Sequence, residues 1–357
     1  MSKKTFISCS TLLMLSEEGL KPMFHNRAFN VSFLLIAIIA FLFLLPAQPV
    51  LAADITVGGN CSLADAITAA NSNKKAGGCP RRRDTDTIIL TGSITLSSQL
   101  PEITSNITIN GKGFTISGGG KHRIFWINGA RKFRVENLTL SHGYIDVDSP
   151  GIEGNFGGGA IGCHLPLSQR PAVVVRNSAF RHNYALENGG AIGCVEASVD
   201  VRGSIFENNS SGAGGAIFTI RNLDVRGSSF KNNSAYTGGA IGSTGLGKVE
   251  IRNSTFRGNK ADSTGGAISI CCAYGEVVEI RNSTFRGNED KGSWRGGGAI
   301  YVDTSITVRK SVFKNNRTGG KGASIYSWDG SITVVNSKLG AAGAGGFYSE
   351  RGTISIQ

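Results

Sequence analysis

Val199-Asp200-Val201-Arg202-Gly203-Ser204-Ile205-Phe206-Glu207-Asn208-Asn209-Ser210-Ser211-Gly212-Ala213-Gly214-Gly215-Ala216-Ile217-Phe218 is one unit of a tandem repeat. Its F-x-x-N block recurs at Phe180, Phe206, Phe230, Phe256, Phe285 and Phe313, with 26, 24, 26, 29 and 28 residues between successive copies. Each copy leads to G-G-A-I or a near variant. A period in the twenties is the mark of a solenoid, whose units bury their apolar faces only against their neighbours. Val199 and Val201 alternate with Asp200 and Arg202, the period-two pattern of a half-buried strand. A second, short strand centres on Ala216 and Ile217. The Asn, Ser and Gly between them supply turn hydrogen bonds and positive φ. No unit has the length or 3.6 periodicity of a helix, and the L-x-x-L-x-L frame of leucine-rich repeats is absent. The reading is all-β, one coil of a parallel β-helix per unit.

Coils stacked at about 4.8 Å turn equivalent residues into ladders. An internal Phe ladder, an Ala-Ile ladder and an amide ladder of Asn183, Asn209, Asn233, Asn259, Asn288 and Asn316 are therefore expected. Val135 to Leu140, with Leu140 in the Phe place, Val334 to Leu339, and the turn Gly158-Gly159-Ala160-Ile161 extend the pattern. Ile94 to Leu96, Ile107 to Ile109 and Phe114 to Ile116 are alternating strands upstream. The solenoid is placed at 84–357, with on the order of ten coils.

Apolar residues make up 40% of the chain and charged residues 17%, enough for a core and few enough for stacked ladders. Phe33 to Leu45 is an uncharged apolar run behind Lys21 and Arg27, followed by Val50-Leu51-Ala52 before Ala53. This reads as a secretory signal peptide over 1–52, with Met23 a possible true start and no membrane span after cleavage. Residues 1–52 hold four cations and two acids, so the rest keeps +10 of the +12 net charge. Of seven cysteines, Cys61, Cys79, Cys163, Cys194, Cys271 and Cys272 follow the signal region, an even number that suggests disulfides. Cys163 and Cys194 take the same place in adjacent coils, within bridging range. Cys61 and Cys79 bracket a helical segment; Cys271 and Cys272 form either a vicinal disulfide or two thiols. No ligand spacing for zinc accompanies them.

Residues 54–83 form the cap segment. Leu63, Ala66, Ile67 and Ala70 fall on one helix face, and Ser62 is the expected N-cap. Cys61-Ser62-Leu63-Ala64-Asp65-Ala66-Ile67-Thr68-Ala69-Ala70-Asn71, then Asp86-Thr87-Ile88 and Ile94 to Pro101, resembles the CSLREA domain of bacterial secreted proteins. Ala64 and Asp65 depart from that motif. The F-x-x-N and G-G-A-I repeats are similar to those of the polymorphic outer-membrane protein family. The two resemblances together imply a right-handed, pectate-lyase-like β-helix at the cell surface or in the medium, and the second implies an adhesin. Thr353 to Gln357 is strand-like, and the autotransporter barrel of that family is not expected after it.

Two basic ladders are candidate contacts for an anionic polysaccharide or cell-surface glycan. Arg176, Arg202, Arg226, Arg252, Arg281 and Arg309 stand four residues before each Phe. Asp200, Asp224, Glu250 and Glu279 lie two residues before an Arg, which reads first as lateral charge compensation. Arg181, Lys231, Arg257, Arg286 and Lys314 directly follow the Phe in five of the six copies, with Glu207 in the other, and show no evident acidic partner. Nucleic acid is not expected, because the chain reads as exported and no exposed aromatics interleave the cations.

The alternative is a polysaccharide lyase or hydrolase. The signatures of the pectate-lyase-like hydrolases and epimerases are not found. The candidate catalytic group is His142, Asp146, Asp148, Glu153 and His182, with His164 and Glu187 nearby, around a 144–156 segment that interrupts the repeat. No cofactor is expected; Ca²⁺ has no EF-hand or nonapeptide frame to bind it. A further alternative is a structural module of a larger surface protein, whose strand-like residues 353–357 would pair with another coil.

Overall fold

A computed structural model describes residues 54–80, 86–146, 157–163, 172–245, 247–271, 278–339 and 346–357. The segment 1–52 read as a signal peptide, together with Asp148, Glu153, His164 and Cys272, lies outside them. The chain is a parallel β-helix. Each full coil carries four short strands, shown by Ser198–Arg202, Ile205–Glu207, Ser210–Ala213 and Ile217–Thr219. Like strands of successive coils pair into four parallel sheets of 12, 10, 7 and 9 strands, here sheets 1 to 4 in that order around the coil.

The corners explain why one unit of sequence breaks four ways. After each Arg of sheet 1 the chain adopts positive φ, as at Asn177, Gly203 and Asn253. Two residues after each Phe, or after Leu140 in its place, it does so again, at His142, His182, Asn208, Asn232 and Asn315. The first Gly of each G-G-A-I makes the corner into sheet 4, as at Gly214 (φ 63°) and Gly238 (φ 62°). The second Gly is needed for space, since a Cβ on Gly215 would lie 2.3 Å from the Gly239 carbonyl oxygen.

The core is a set of ladders in register. Phe180 to Phe313 pair one above another in sheet 2. Their rings lie 4.7 to 4.9 Å apart and 3 to 6° from parallel. Isolated rings prefer offset or edge contacts. Face-to-face stacking at the strand spacing is imposed by the backbone register. Ile161, Ile192, Ile217, Ile241, Ile268, Ile300 and Ile325 form the facing ladder in sheet 4.

The buried Asn ladder closes the second corner. Asn209 Nδ2 donates to Asn233 Oδ1 (2.9 Å) and to the Phe180 carbonyl (3.0 Å), while Asn209 Oδ1 accepts from the Asn183 backbone N–H and Nδ2. The same set repeats to Asn316. A Ser ladder, not expected from the repeat, closes the first corner. The Ser178 N–H donates to Ser204 Oγ, and Ser204 Oγ donates to the Arg202 carbonyl; Ser228, Ser254, Ser283 and Ser311 continue it.

The helix spans Leu63–Ser72, and Ser62 Oγ caps it by accepting from the Asp65 N–H (3.1 Å). Its buried face packs against the first strands of sheet 1. That sheet begins earlier than residue 84, because Asp54–Val57 already pairs in parallel with Asp86–Leu90. The helix therefore follows the first strand. Cys61 bonds to Cys79 across the helix, and Cys163 to Cys194 between paired strands of sheet 4.

Asn208 and Asn209 separate the two uses of Asn. Asn208 is exposed at a positive-φ corner, so Asn208→Gly should leave the urea midpoint nearly unchanged. Asn209→Ala leaves the buried Asn183 N–H without its acceptor and should cost on the order of 3 kcal/mol. Equal shifts for the two variants would contradict this account.

Candidate functional site

Alternation on sheet 1 points the valines inward and sets acids and arginines on the outer face. Arg176, Arg202, Arg226, Arg252, Arg281 and Arg309 are in register, coil upon coil. Asp200 pairs with Arg176 (2.5 Å) and Arg202 (3.2 Å), Asp224 with Arg226 (2.6 Å), and Glu250 with Arg252 (2.7 Å) and Lys248. Glu279 bonds Arg281. Burial alone would raise the Asp200 carboxyl, but the bonds and charges of Arg176 and Arg202 bring it below its ordinary value. At Arg309 the place of the acid is taken by Thr307, and Arg309 has no ion pair among the described residues.

The stripe after each Phe stands on the outer face of sheet 2. Arg181, Glu207, Lys231, Arg257, Arg286 and Lys314 face one another in successive coils. The expectation that this stripe lacks an acidic partner is corrected at two positions. Glu207 lies between Arg181 (3.4 Å) and Lys231 (2.7 Å) and pairs with both, and the Lys231 ammonium holds its carboxyl below the usual range. The stripe's own exception is thus its counterion. Arg257, Arg286 and Lys314 are exposed and have no ion pair among the described residues. Lys338, one coil further and opposite Val312, adds to this end of the sheet, with Lys310 exposed at the adjoining corner. Neither lies in the stripe that the repeat defines, so spacing from Phe did not reveal them.

His142 and His182 are brought together, their rings stacked at 5.3 Å. Both occupy the positive-φ corner that other coils fill with Asn or Gly, and both are exposed. Asp146 accepts a hydrogen bond from the Tyr144 hydroxyl (3.1 Å). Among the described residues no three His, Cys, Asp or Glu side chains are grouped to hold a metal.

One carboxyl was not anticipated. Asp290 takes the inward place of sheet 3 that is Ala in several other coils, pairing with Ala261 and Thr318. It is 1% exposed and accepts from the Gly292 N–H (2.9 Å) and Thr318 Oγ1 (3.0 Å). Burial pushes its pKa up to about 7.

Residues 213–357 match the right-handed β-helix region model, which gives the hand of the coil, and residues 203–220 match the Chlamydia polymorphic membrane protein repeat. The second match falls on the Phe-Asn-Gly-Gly-Ala-Ile unit and points to a cell-surface or outer-membrane setting. No curated protein and no solved structure matches the chain. No helix among the described residues is long and apolar enough to cross a membrane.

Asp290 gives stability a pH dependence of known sign. Its folded pKa lies above the unfolded value, so between about pH 4 and 7 the folded chain holds the extra proton. Its contribution then falls as pH rises across that window and is level above it. In urea titrations from acid to neutral pH, Asp290→Asn should gain on the parent chain as neutrality is approached. A constant difference between the two would refute the assignment.

Proposed function

We propose that the chain is an exported, non-catalytic surface β-helix that binds anionic polysaccharide or a similar cell-surface polymer along the outer face of sheet 2. The observation that carries this is the line of Arg257, Arg286 and Lys314, one coil apart and without a carboxylate among the described residues. Like charges stacked at about 4.8 Å repel unless something neutralises them. On sheet 1 the chain supplies its own acids. On this part of sheet 2 a regularly charged polymer would do so, and Arg adds bidentate geometry for carboxylate, phosphate or sulfate. Uronate polysaccharide, lipopolysaccharide and teichoic acid share this chemistry.

Export is supported by the apolar run at 33–45 and by two disulfides, which persist in oxidising compartments. The resemblance of the N-terminal segment to the CSLREA domain of secreted proteins agrees with it. The polymorphic-membrane-protein repeat supports a surface role of the adhesin kind.

Binding to polygalacturonate or heparin resin should weaken steeply from low to high salt. Replacing Arg257, Arg286 and Lys314 together by Gln should weaken it on the order of tenfold or more. Arg226→Gln, which removes a cation already paired with Asp224, should change it little. Salt-independent retention, or a triple variant that binds like the parent, would overturn the proposal.

A further inference from the structure

The outer surface between sheets 3 and 4 carries a trough that the basic line does not touch. One part of it is a cavity of about 490 Å³ whose lining includes Tyr236, Asp262, Ser263, Thr264, Trp294 and Arg295. A second cavity of about 460 Å³ shares Tyr236 and Asp262 and continues past Lys260, Lys291 and Leu186 to Tyr184. Both lie in the size range of small-ligand sites. Trp294 is 79% and Tyr236 64% exposed, the two most exposed aromatic side chains among the described residues' large hydrophobics.

Trp294 comes from a local insertion. Between Asp290 and the Gly run of the next corner stand Lys291-Gly292-Ser293-Trp294-Arg295, where earlier coils pass from sheet 3 to Gly almost directly. Insertions in solenoids gather on functional faces. This one is braced. The Gly292 N–H is held by the buried Asp290, and the Arg295 guanidinium lies 5.0 Å from the Trp294 ring and 4.6 Å from the Trp328 ring while donating to the Tyr301 hydroxyl (2.8 Å). The indole is therefore fixed by cation–π contact on a positioned arginine.

We infer that this trough binds a chain of pyranose sugars, with Trp294 and Tyr236 as stacking platforms. They stand on coils two apart, about 10 Å along the axis and close to the length of one disaccharide. Tyr184 lies two coils further on. Between the rings lie hydroxyls and charges rather than the continuous apolar stripe that a helix or lipid would require. A pyranose offers an apolar C–H face to each ring and hydroxyl edges to Ser263, Thr264, Asp262 and Arg295. Lys291 pairs with Asp262 (2.9 Å) and Lys260 with Glu289 (3.8 Å), so Arg295 is the lining cation without an ion pair among the described residues; neutral sugars fit, and a uronate carboxylate would be met by Arg295.

The test is calorimetry and tryptophan fluorescence on the purified chain with cellohexaose, mannohexaose, chitohexaose and hexagalacturonate. At least one hexasaccharide should bind and shift the emission. Trp294→Ala should abolish the shift and weaken binding about tenfold or more, with Trp294→Phe recovering part of it. Tyr236→Ala should weaken the hexasaccharide while leaving the matching disaccharide, which reaches only one platform, nearly unaffected. Trp294 is exposed, so its loss leaves the fold intact, as an unchanged circular dichroism melt would verify. The triple Gln variant of the sheet 2 line should keep this binding if the sugar is neutral, which separates the two sites. No binding of any hexasaccharide, or an affinity indifferent to Trp294→Ala, would overturn the inference.

Discussion

Each buried Asn at the second corner holds two coils at once. Its carbonyl oxygen accepts from the backbone and amide of the coil before, and its own N–H groups donate to the amide of the coil after. An amide carries two N–H donors and a separate carbonyl acceptor, so it can give and accept along a single line and the ladder leaves its buried polar atoms partnered. It also fixes register. A slip of one residue would present the corner residue or the residue after the Asn, such as Asn232 or Ser234, to the amide, and every inward side chain of the coil would turn outward. The Phe stack, the Ser ladder and the Ile ladder then follow from the register that the Asn line enforces.

The same constraint makes charge a problem. Whatever one coil carries, the next repeats at the same place about 4.8 Å away. Neutral ladders gain from this, whereas arginine ladders repel. Sheet 1 answers with an acid two residues before most of its arginines, so attraction runs within the strand and diagonally between coils. On sheet 2 a single Glu207 serves its two neighbours, and no comparable acid follows it among the described residues. Retaining Arg257, Arg286 and Lys314 in line costs folding energy, which a polymeric anion of the kind proposed above would offset.

What the sequence made legible was whatever recurs at the repeat. Phe, Asn, Gly-Gly-Ala-Ile and the paired Cys163 and Cys194 each announce a ladder because stacking converts identical spacing into contact. The four-sided coil was less legible, since its corners are single positive-φ residues, sometimes Gly, sometimes Asn, and at His142 and His182 a histidine that resembled a catalytic candidate. The Ser ladder sits inside the Asn-Ser and Gly-Ser pairs, which composition alone reads as turn. Asp54–Val57 lies before the helix, too far from the clear copies for spacing to place it in sheet 1. Lys338 and Trp294 stand off the repeat altogether, and only the fold shows what they neighbour.

The insertion after Asp290 shows how a repetitive scaffold accommodates something singular. A buried carboxyl in an apolar-lined place is unfavourable in its charged form, and burial accordingly raises the Asp290 pKa. Ala in the same place in other coils shows that stacking does not require it. What Asp290 does is accept the Gly292 N–H, at the point where the chain leaves the repeat to carry Trp294 outward. On the far side, Arg295 returns the chain to the aromatic ladder of Tyr301 and Tyr326. The regular coils thus provide a rigid base, and one destabilising side chain secures the departure from it. If the insertion were only a tolerated irregularity, neither the buried acid nor the arginine wedged among Trp294, Tyr301 and Trp328 would have a reason to be there.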